Sequence, residues 1–226
     1  MLEKRRAWAT ARMGIIASPF EGWSPNTLSW SSFGLSCGAG LFFVLLRFVS
    51  PSSYWVPVLF FEAASCVFVG GVFDALDGYV ARKRGLASKQ GDFLDHVLDR
   101  YSDVVILLGV TFSAWANPYL ALVALVSLLI SSYLGTQAQA VTGQRMYGGL
   151  LGRADRIVLV SLFALALFGA TTWNLLAPAP DRLPLTWTWL GVVLGPLDLL
   201  LIYFIVAGQI TSLYRARRTW SALASP

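Results

Sequence analysis

The chain has 226 residues, of which 56% are hydrophobic and 13% are charged, and its mean hydropathy is +0.63. This composition excludes a soluble protein with one apolar core and is typical of a protein dissolved in a bilayer. The formal net charge of +5 does not indicate nucleic-acid binding, because the sequence contains no basic groove with interleaved aromatic residues.

The first predicted element is an amphipathic interfacial helix over residues 1–17. Its opening, MLEKRRAWATARMGII, mixes basic residues with Trp8, Ile15 and Ile16. In a secretory signal the apolar core directly follows the charges, which is not the pattern here. We therefore expect this segment to lie on an anionic leaflet. A frayed basic terminus is the alternative.

Six membrane-spanning helices are predicted next, in stretches that carry little charge. A span needs about 20 predominantly apolar residues. The long uncharged interval between Asp103 and Arg145 holds two spans, because Asn117–Pro118 favours a turn. The predicted spans are 27–47, 53–80, 92–115, 119–140, 155–174 and 186–212. Since no repeat or linker divides them, the predicted fold class is an all-α integral membrane protein with one domain over residues 1–226.

The distribution of lysine and arginine predicts the orientation of these spans. Of the 17 basic residues, only Arg47 and Arg182 fall in loops on the side opposite the termini, and Arg100 lies inside the third span. Basic residues accumulate in short cytoplasmic loops. We therefore expect a multi-pass protein of the cell membrane with both termini and its polar site in the cytoplasm.

The second and third spans carry an unusual concentration of aspartate, in the stretch FDALDGYVARKRGLASKQGDFLDHVLDRYSD at residues 73–103. Asp74 and Asp77 are three residues apart at the end of the second span. Asp95 and Asp99 are four residues apart at the start of the third. These spacings place each pair on one helix face.

The connection between the two pairs contains Gly85 and Gly91, which allow the chain to reverse so that the helices run antiparallel. Four carboxylates then converge at one membrane edge, where uncompensated charge is costly. Hard oxygen ligands suit Mg²⁺, Mn²⁺ or Ca²⁺ and not zinc. Four carboxylates can hold two ions roughly 3.5–4 Å apart, the arrangement that clamps a phosphoryl group.

Small and basic residues beside the acids indicate what such ions would bind. Gly78 leaves bare backbone for the close approach of a ligand, and Ala81 keeps the same face narrow. Arg82 offers a planar fork that suits phosphate. Together these residues predict a site for a metal-bound pyrophosphate.

The same residues carry a resemblance to a known family. The matching positions and their intervals are Asp74, Asp77, Gly78, Ala81, Arg82, Gly91, Asp95 and Asp99. This pattern resembles the full signature of the CDP-alcohol phosphotransferases, membrane enzymes of phospholipid synthesis. The resemblance implies transfer of a substituted phosphate from a CDP-lipid, such as CDP-diacylglycerol or CDP-archaeol, to a small polar alcohol, with release of CMP. It also implies a homodimer and two Mg²⁺ or Mn²⁺ ions per site.

The resemblance further assigns a role to each residue of the motif at 74–99. Metal ions would be held by Asp74, Asp77, Asp95 and Asp99, and Asp99 is also the candidate general base. The residues implied to contact the CDP part are Asp74, Asp77, Gly78, Ala81, Arg82 and Gly91.

The acceptor site departs from one branch of that family. Members that use inositol phosphate tend to have lysine and arginine soon after a Ser-Tyr pair, where this chain has Gly135 and Gln137. Arg153 and Arg156 are similar to the basic pair that opens the fifth span in that branch, and Arg145 is within reach. We expect these arginines to bind a phosphorylated acceptor. As alternatives, Gln137 and Gln139 bind an uncharged polyol or serve helix packing. The alternative is that the arginines only enforce topology.

Two further polar residues, His96 and Asp103, lie beside the acids in sequence. His96 follows Asp95 and is expected to point away from the metal face. Asp103 lies one turn beyond Asp99, where it either supports that carboxylate or pairs with Arg100 or a neighbouring helix.

Other functions remain open at this point. An enzyme with a soluble donor such as CDP-choline or CDP-ethanolamine, and a lipid acceptor, would use the same motif. A cation transporter is a more distant alternative, because its ion site would lie near the bilayer midplane. Glu62 and Asp198 fall within predicted spans and have no assigned partners.

Overall fold

The computed structural model describes residues 14, 16–20, 22–143, 148–177, 186–189 and 192–224. Within these ranges lie six long helices: α1 (Pro25–Leu45), α2 (Trp55–Lys83), α3 (Lys89–Phe112), α4 (Pro118–Thr142), α5 (Arg153–Leu176) and α6 (Pro196–Ala224). Short 3₁₀ helices occur at Ser18–Phe20 and Leu46–Phe48, and an antiparallel hairpin joins β1 (Trp187–Trp189) to β2 (Val192–Leu194). Most of the predicted interfacial helix lies outside the described residues.

Five of these helices, all except α3, are long and apolar enough to cross a membrane. Helix α3 has 24 residues, enough to span the hydrocarbon core at about 1.5 Å per residue. Its first half, however, contains the aspartates and Arg100, which lower its mean hydropathy. The chain is therefore a multi-pass membrane protein in which one helix has a polar half.

The turn between α3 and α4 forms where the sequence predicts it. The Asn117 side chain accepts hydrogen bonds from two N–H groups of the first turn of α4, at 3.0 and 3.3 Å, and Pro118 has no N–H to satisfy. Asp198 is fully buried at the same corner and accepts hydrogen bonds from the N–H of Asn117 at 2.7 Å and of Gly195 at 2.6 Å. These bonds give Asp198 a structural role.

The beginning of the last predicted span is wrong. The described residues 186–189 and 192–195 are not helical; they contain the two strands, in which Trp187 pairs with Leu194. Helix α6 starts at Pro196 and extends to Ala224. The hairpin residues are mostly aromatic or β-branched, which favours strands, and proline is well placed at a helix start. The described part of the chain is thus helical apart from this short hairpin.

Helix α1 packs closely against both α2 and α3. Ser29 near the start of α1 contacts Asp77 near the end of α2, so these two helices are antiparallel. Helices α1 and α3 are parallel, and their backbones touch: a Cβ added to Gly109 would lie 2.5 Å from the Gly40 carbonyl oxygen. Small residues permit this approach, which increases van der Waals contact between membrane helices.

The other three helices complete the bundle. Helices α4 and α6 pack side by side and run parallel, and the Ser127 hydroxyl donates a hydrogen bond to the Ile205 carbonyl at 3.2 Å. Helix α5 packs along α2, where Gly71 leaves room for the Ile157 side chain. One end of the bundle therefore holds the starts of α1, α3 and α5 and the ends of α2, α4 and α6.

Candidate active site

The turn between α2 and α3 brings the aspartates together. Gly85 ends α2 with a φ of +65°, and the N–H of Leu86 donates to the Ala81 carbonyl at 2.8 Å. This left-handed stop favours glycine. Ser88 then caps α3 by accepting a hydrogen bond from the N–H of Gly91 at 3.1 Å. The predicted reversal at Gly85 is confirmed, whereas Gly91 lies in the first turn of α3 and is not a reversal point.

Three of the four predicted metal ligands form a compact group. One carboxylate oxygen from each of Asp74, Asp77 and Asp95 lies within 4.8 Å of the others. Asp77 is 6% exposed, and its Oδ2 accepts a hydrogen bond from the Ser29 hydroxyl at 2.6 Å. Clustered carboxylates, one of them oriented by a buried hydroxyl, are a donor set that fits Mg²⁺ or Mn²⁺.

The fourth predicted ligand, Asp99, lies on the adjoining side of the cluster with His96. Ligand atoms of Asp95, His96 and Asp99 come within 4.8 Å of one another, and His96 Nδ1 is 3.6 Å from Asp95. The expectation that His96 points away is therefore wrong. His96 and Asp99 are three residues apart on α3 and share a face.

Arg153, the first residue of α5, connects the two aspartate pairs. Its Nη2 is 2.8 Å from the Asp74 carboxylate, and its Nη1 contacts Asp99. One guanidinium thus compensates one carboxylate from each pair. Its position also brings the start of α5 against the cluster.

A cavity of about 430 Å³ lies on one side of the cluster, formed by α1, α2, α3 and the α2–α3 turn. Five of the six residues expected to contact CDP line it: Asp77, Gly78, Ala81, Arg82 and Gly91. The sixth, Asp74, lies in the carboxylate cluster. A Cβ on Gly78 would stand 3.1 Å from Arg82 Nη1, so glycine leaves room for the guanidinium. We call this space the nucleotide-side cavity.

Helix α1 contributes polar residues to the nucleotide-side cavity that the sequence did not single out as site residues. Ser24, Asn26 and Ser29 line it. The signal for them is the segment SPNTLS, a polar entry into an otherwise apolar span. Spacing within one helix could not show that this entry faces α2 and α3.

A second cavity, of about 650 Å³, lies on the other side of the cluster between α3, α4, α5 and α6. Four arginines line it: Arg100, Arg153, Arg156 and Arg215. The Arg215 guanidinium donates to the Ser131 carbonyl at 2.7 Å and to the Gly148 carbonyl at 3.3 Å. A Cβ at Gly135 would lie 3.1 Å from Arg215 Nη1. We call this space the arginine-lined cavity.

Only some of the predicted acceptor residues lie at the arginine-lined cavity. Arg153 and Arg156 line the arginine-lined cavity, whereas Gln137 is exposed and does not line it. Arg145 lies outside the described residues. Arg100 and Arg215 also line this cavity, and the sequence did not single them out as acceptor residues. In sequence Arg215 belongs to a basic group at the end of the last helix, which topology alone would explain.

Comparison with known proteins gives one family. The family described as CDP-alcohol phosphatidyltransferase matches residues 23–197. Archaetidylinositol phosphate synthase of Methanothermobacter thermautotrophicus is 36% identical over 110 residues, which are 49% of this chain and 56% of that protein. Phosphatidylinositol phosphate synthase of Mycobacteroides abscessus is 30% identical over 145 residues, 62% of this chain and 60% of that protein. The chain thus spans little more than half the length of these relatives.

Solved structures have the same fold. Phosphatidylinositol phosphate synthase of Mycobacterium tuberculosis with CDP-DAG bound superposes with a TM-score of 0.64 at 23% identity, covering 93% of both chains. Its complex with manganese and citrate gives a TM-score of 0.65 at 23% identity, covering 93% of this chain and 88% of that one.

Proposed function

The chain belongs to the CDP-alcohol phosphatidyltransferase family, and we propose that it transfers a lipid-bearing phosphate from a CDP-lipid to a small anionic alcohol. The observation that carries this proposal is the position of the carboxylate cluster between two cavities of different character. The nucleotide-side cavity contains the signature residues, and the other cavity contains the arginines. Two substrates entering from these sides would meet at the carboxylates.

The nucleotide-side cavity takes the CDP part of the donor. Arg82 pairs with the diphosphate through its planar fork, and Gly78 and Gly91 allow the ligand to approach the backbone. Asp74, Asp77, Asp95 and Asp99 would hold two Mg²⁺ or Mn²⁺ ions, which would supply positive charge to the diphosphate and to the departing CMP. The M. tuberculosis relative, crystallised with CDP-DAG and with manganese, supports both assignments.

The arginine-lined cavity takes the acceptor. Among the described residues that line it, Asp99 is the one acid beside four arginines. Arg100, Arg153 and Arg156 each have an aspartate within ion-pair distance. The hydrogen bonds of Arg215, in contrast, go to backbone carbonyls. This excess positive charge suits an alcohol that itself carries a phosphate. The names of the relatives, synthases of archaetidylinositol phosphate and of phosphatidylinositol phosphate, agree with that class.

Asp99 is placed to begin the reaction. It belongs to the carboxylate cluster and also lines the arginine-lined cavity. Asp99 takes the proton of the acceptor hydroxyl, whose oxygen attacks the β-phosphorus of the CDP-lipid. The new phosphorus–oxygen bond replaces the bond to CMP, which leaves through the nucleotide-side cavity. Arg153, which contacts Asp74 and Asp99, stabilises charge at the junction of the cavities.

The setting of the reaction is part of the proposal. The positive-inside distribution places the site and both termini in the cytoplasm, in a cell membrane. The family resemblance favours a homodimer.

The two alternative functions, an enzyme with a lipid acceptor and a cation transporter, fit less well. A neutral lipid acceptor has no use for four arginines, and a transporter would not need carboxylates at one end of the bundle.

CMP release by the purified protein in detergent tests the proposal. The reaction contains Mg²⁺ or Mn²⁺, CDP-diacylglycerol, and one acceptor from inositol 1-phosphate, glycerol 3-phosphate, serine, inositol or glycerol. We expect release that a phosphorylated alcohol stimulates and EDTA stops. Stimulation only by an uncharged alcohol would refute the anionic acceptor. Turnover of CDP-choline with diacylglycerol, and none of CDP-diacylglycerol, would refute the lipid donor.

A further inference from the structure

Asp103 lies one helical turn beyond Asp99 on α3 and belongs to neither ligand group of the cluster. Its side chain is 12% exposed. The Oδ2 atom is 3.1 Å from Nη2 of Arg156 on α5 and 3.5 Å from Nη1 of Arg100 on α3. One carboxylate therefore accompanies two of the four arginines in the cavity wall.

Arg156 depends on such a partner. The residue is 6% exposed, and a buried guanidinium is costly unless an opposite charge compensates it. Its Nη1 also donates a hydrogen bond to the Ser132 hydroxyl on α4 at 3.4 Å. Arg156 is thus held between α3 and α4 while its side chain lines the arginine-lined cavity.

We propose that Asp103 is a positioning residue that holds the guanidinium groups of Arg156 and Arg100 in the orientation that binds the anionic group of the acceptor. Asp103 does not itself line the cavity among the described residues, so it acts through the two arginines. The identity of the ligand rests on the proposed function. Arg100 is also 3.5 Å from Asp99, so the same contacts connect the acceptor wall to the reacting end of α3.

A positioning role and a purely electrostatic role predict opposite results for Asp103→Asn. Removing a negative charge beside the cavity strengthens its Coulombic attraction for an anion. Removing the carboxylate that orients Arg156 instead disturbs the fork geometry that recognises phosphate. We expect the second effect to dominate. Binding of a phosphate group should weaken at least tenfold, and the KM of a phosphorylated acceptor should rise in parallel, with less than threefold change in kcat.

The experiment measures the Kd of inorganic phosphate by calorimetry on the full-length protein in detergent. The variants are Asp103→Asn, Asp103→Glu and Glu62→Gln. Glutamate keeps the charge and should recover part of the lost affinity. Glu62→Gln removes an acid of α2 that lies outside both cavities, so it should bind phosphate like the wild type. The Kd of Mn²⁺ on the same samples should change less than twofold, because Asp103 is not in the cluster.

Each outcome decides the matter. Unchanged or tighter phosphate binding by Asp103→Asn overturns the positioning role, and so does a parallel loss of Mn²⁺ affinity, which would indicate general damage. If the wild type binds no phosphate, the anionic acceptor of the proposed function fails and the role of Asp103 fails with it. If Asp103→Asn does not fold, Arg156→Lys replaces it. Lysine keeps the charge but lacks the fork, and undiminished binding by that variant overturns the proposal.

Discussion

Ser29→Ala should weaken metal binding without changing any carboxylate. The Ser29 hydroxyl is 2.6 Å from Asp77 Oδ2 and 3.1 Å from the Pro25 carbonyl. A hydroxyl has only one proton to donate. The Asp77 carboxylate is nearer than the Pro25 carbonyl and is the stronger acceptor, so it receives the hydrogen bond. Ser29 is 7% exposed and Asp77 is 6% exposed, so bulk water is poorly placed to replace the lost donor.

The magnitude follows from this single bond. A hydrogen bond to a charged group contributes about 1.5–3 kcal/mol. Since 1.4 kcal/mol is tenfold in an equilibrium constant, the Kd of Mn²⁺ should rise roughly ten- to hundredfold. This range agrees with the effect of removing the groups that orient metal ligands, about 10–100-fold.

Ser32→Ala is the matched control. Ser32 is also buried on α1, but its hydroxyl donates to the Gly70 carbonyl on α2 at 2.8 Å, away from the cluster. Electron paramagnetic resonance of free Mn²⁺ in titrations of the detergent-solubilised protein gives both Kd values. We expect Ser32→Ala to remain within twofold of the wild type. Equal Kd values for Ser29→Ala and the wild type would refute the link between this hydroxyl and the metal site.

Three further predictions concern the cluster and the bundle. Asp95→Asn should abolish metal-dependent CMP release in protein that still folds by circular dichroism; normal turnover would refute the site. Gly109→Ala should destabilise the protein by about 1–3 kcal/mol through overpacking, because its Cβ would meet the Gly40 carbonyl; Gly34→Ala, with open space around it, is the control in thermal unfolding. Asp198→Ala should lower Tm by removing two backbone hydrogen bonds, each contributing about 1.5–3 kcal/mol, and an unchanged Tm would contradict its structural role.

The sequence predicted features that depend on local chemistry. Long apolar stretches predicted the helices, because a span has a minimum length. Asn117–Pro118 and Gly85 marked turns, since each residue has a strong backbone preference. Spacings of three and four placed each aspartate pair on one face. These rules operate within a few residues, so they apply before the packing of the bundle is known.

Contacts between helices could not be predicted in this way. The ion pair of Arg156 with Asp103 joins α5 to α3, and the place of Arg215 in the cavity depends on α6 lying beside α4. Which helices become neighbours depends on how they pack. That packing depends in turn on small residues such as Gly109, where one added carbon atom would prevent the close approach of α1 and α3. The hairpin at Trp187 was missed for a related reason, because a short apolar run fits a strand as well as a helix.

The two cavities draw on different parts of the bundle. Helices α1, α2 and α3 line the nucleotide-side cavity, whereas three of the four helices that line the arginine-lined cavity are α4, α5 and α6. Under the proposed function, substitutions in α4, α5 and α6 alter the acceptor side and leave the residues that line the nucleotide-side cavity unchanged. Under the proposed function, sequence changes confined to α4, α5 and α6 are therefore a route to new lipid headgroups with the same reaction.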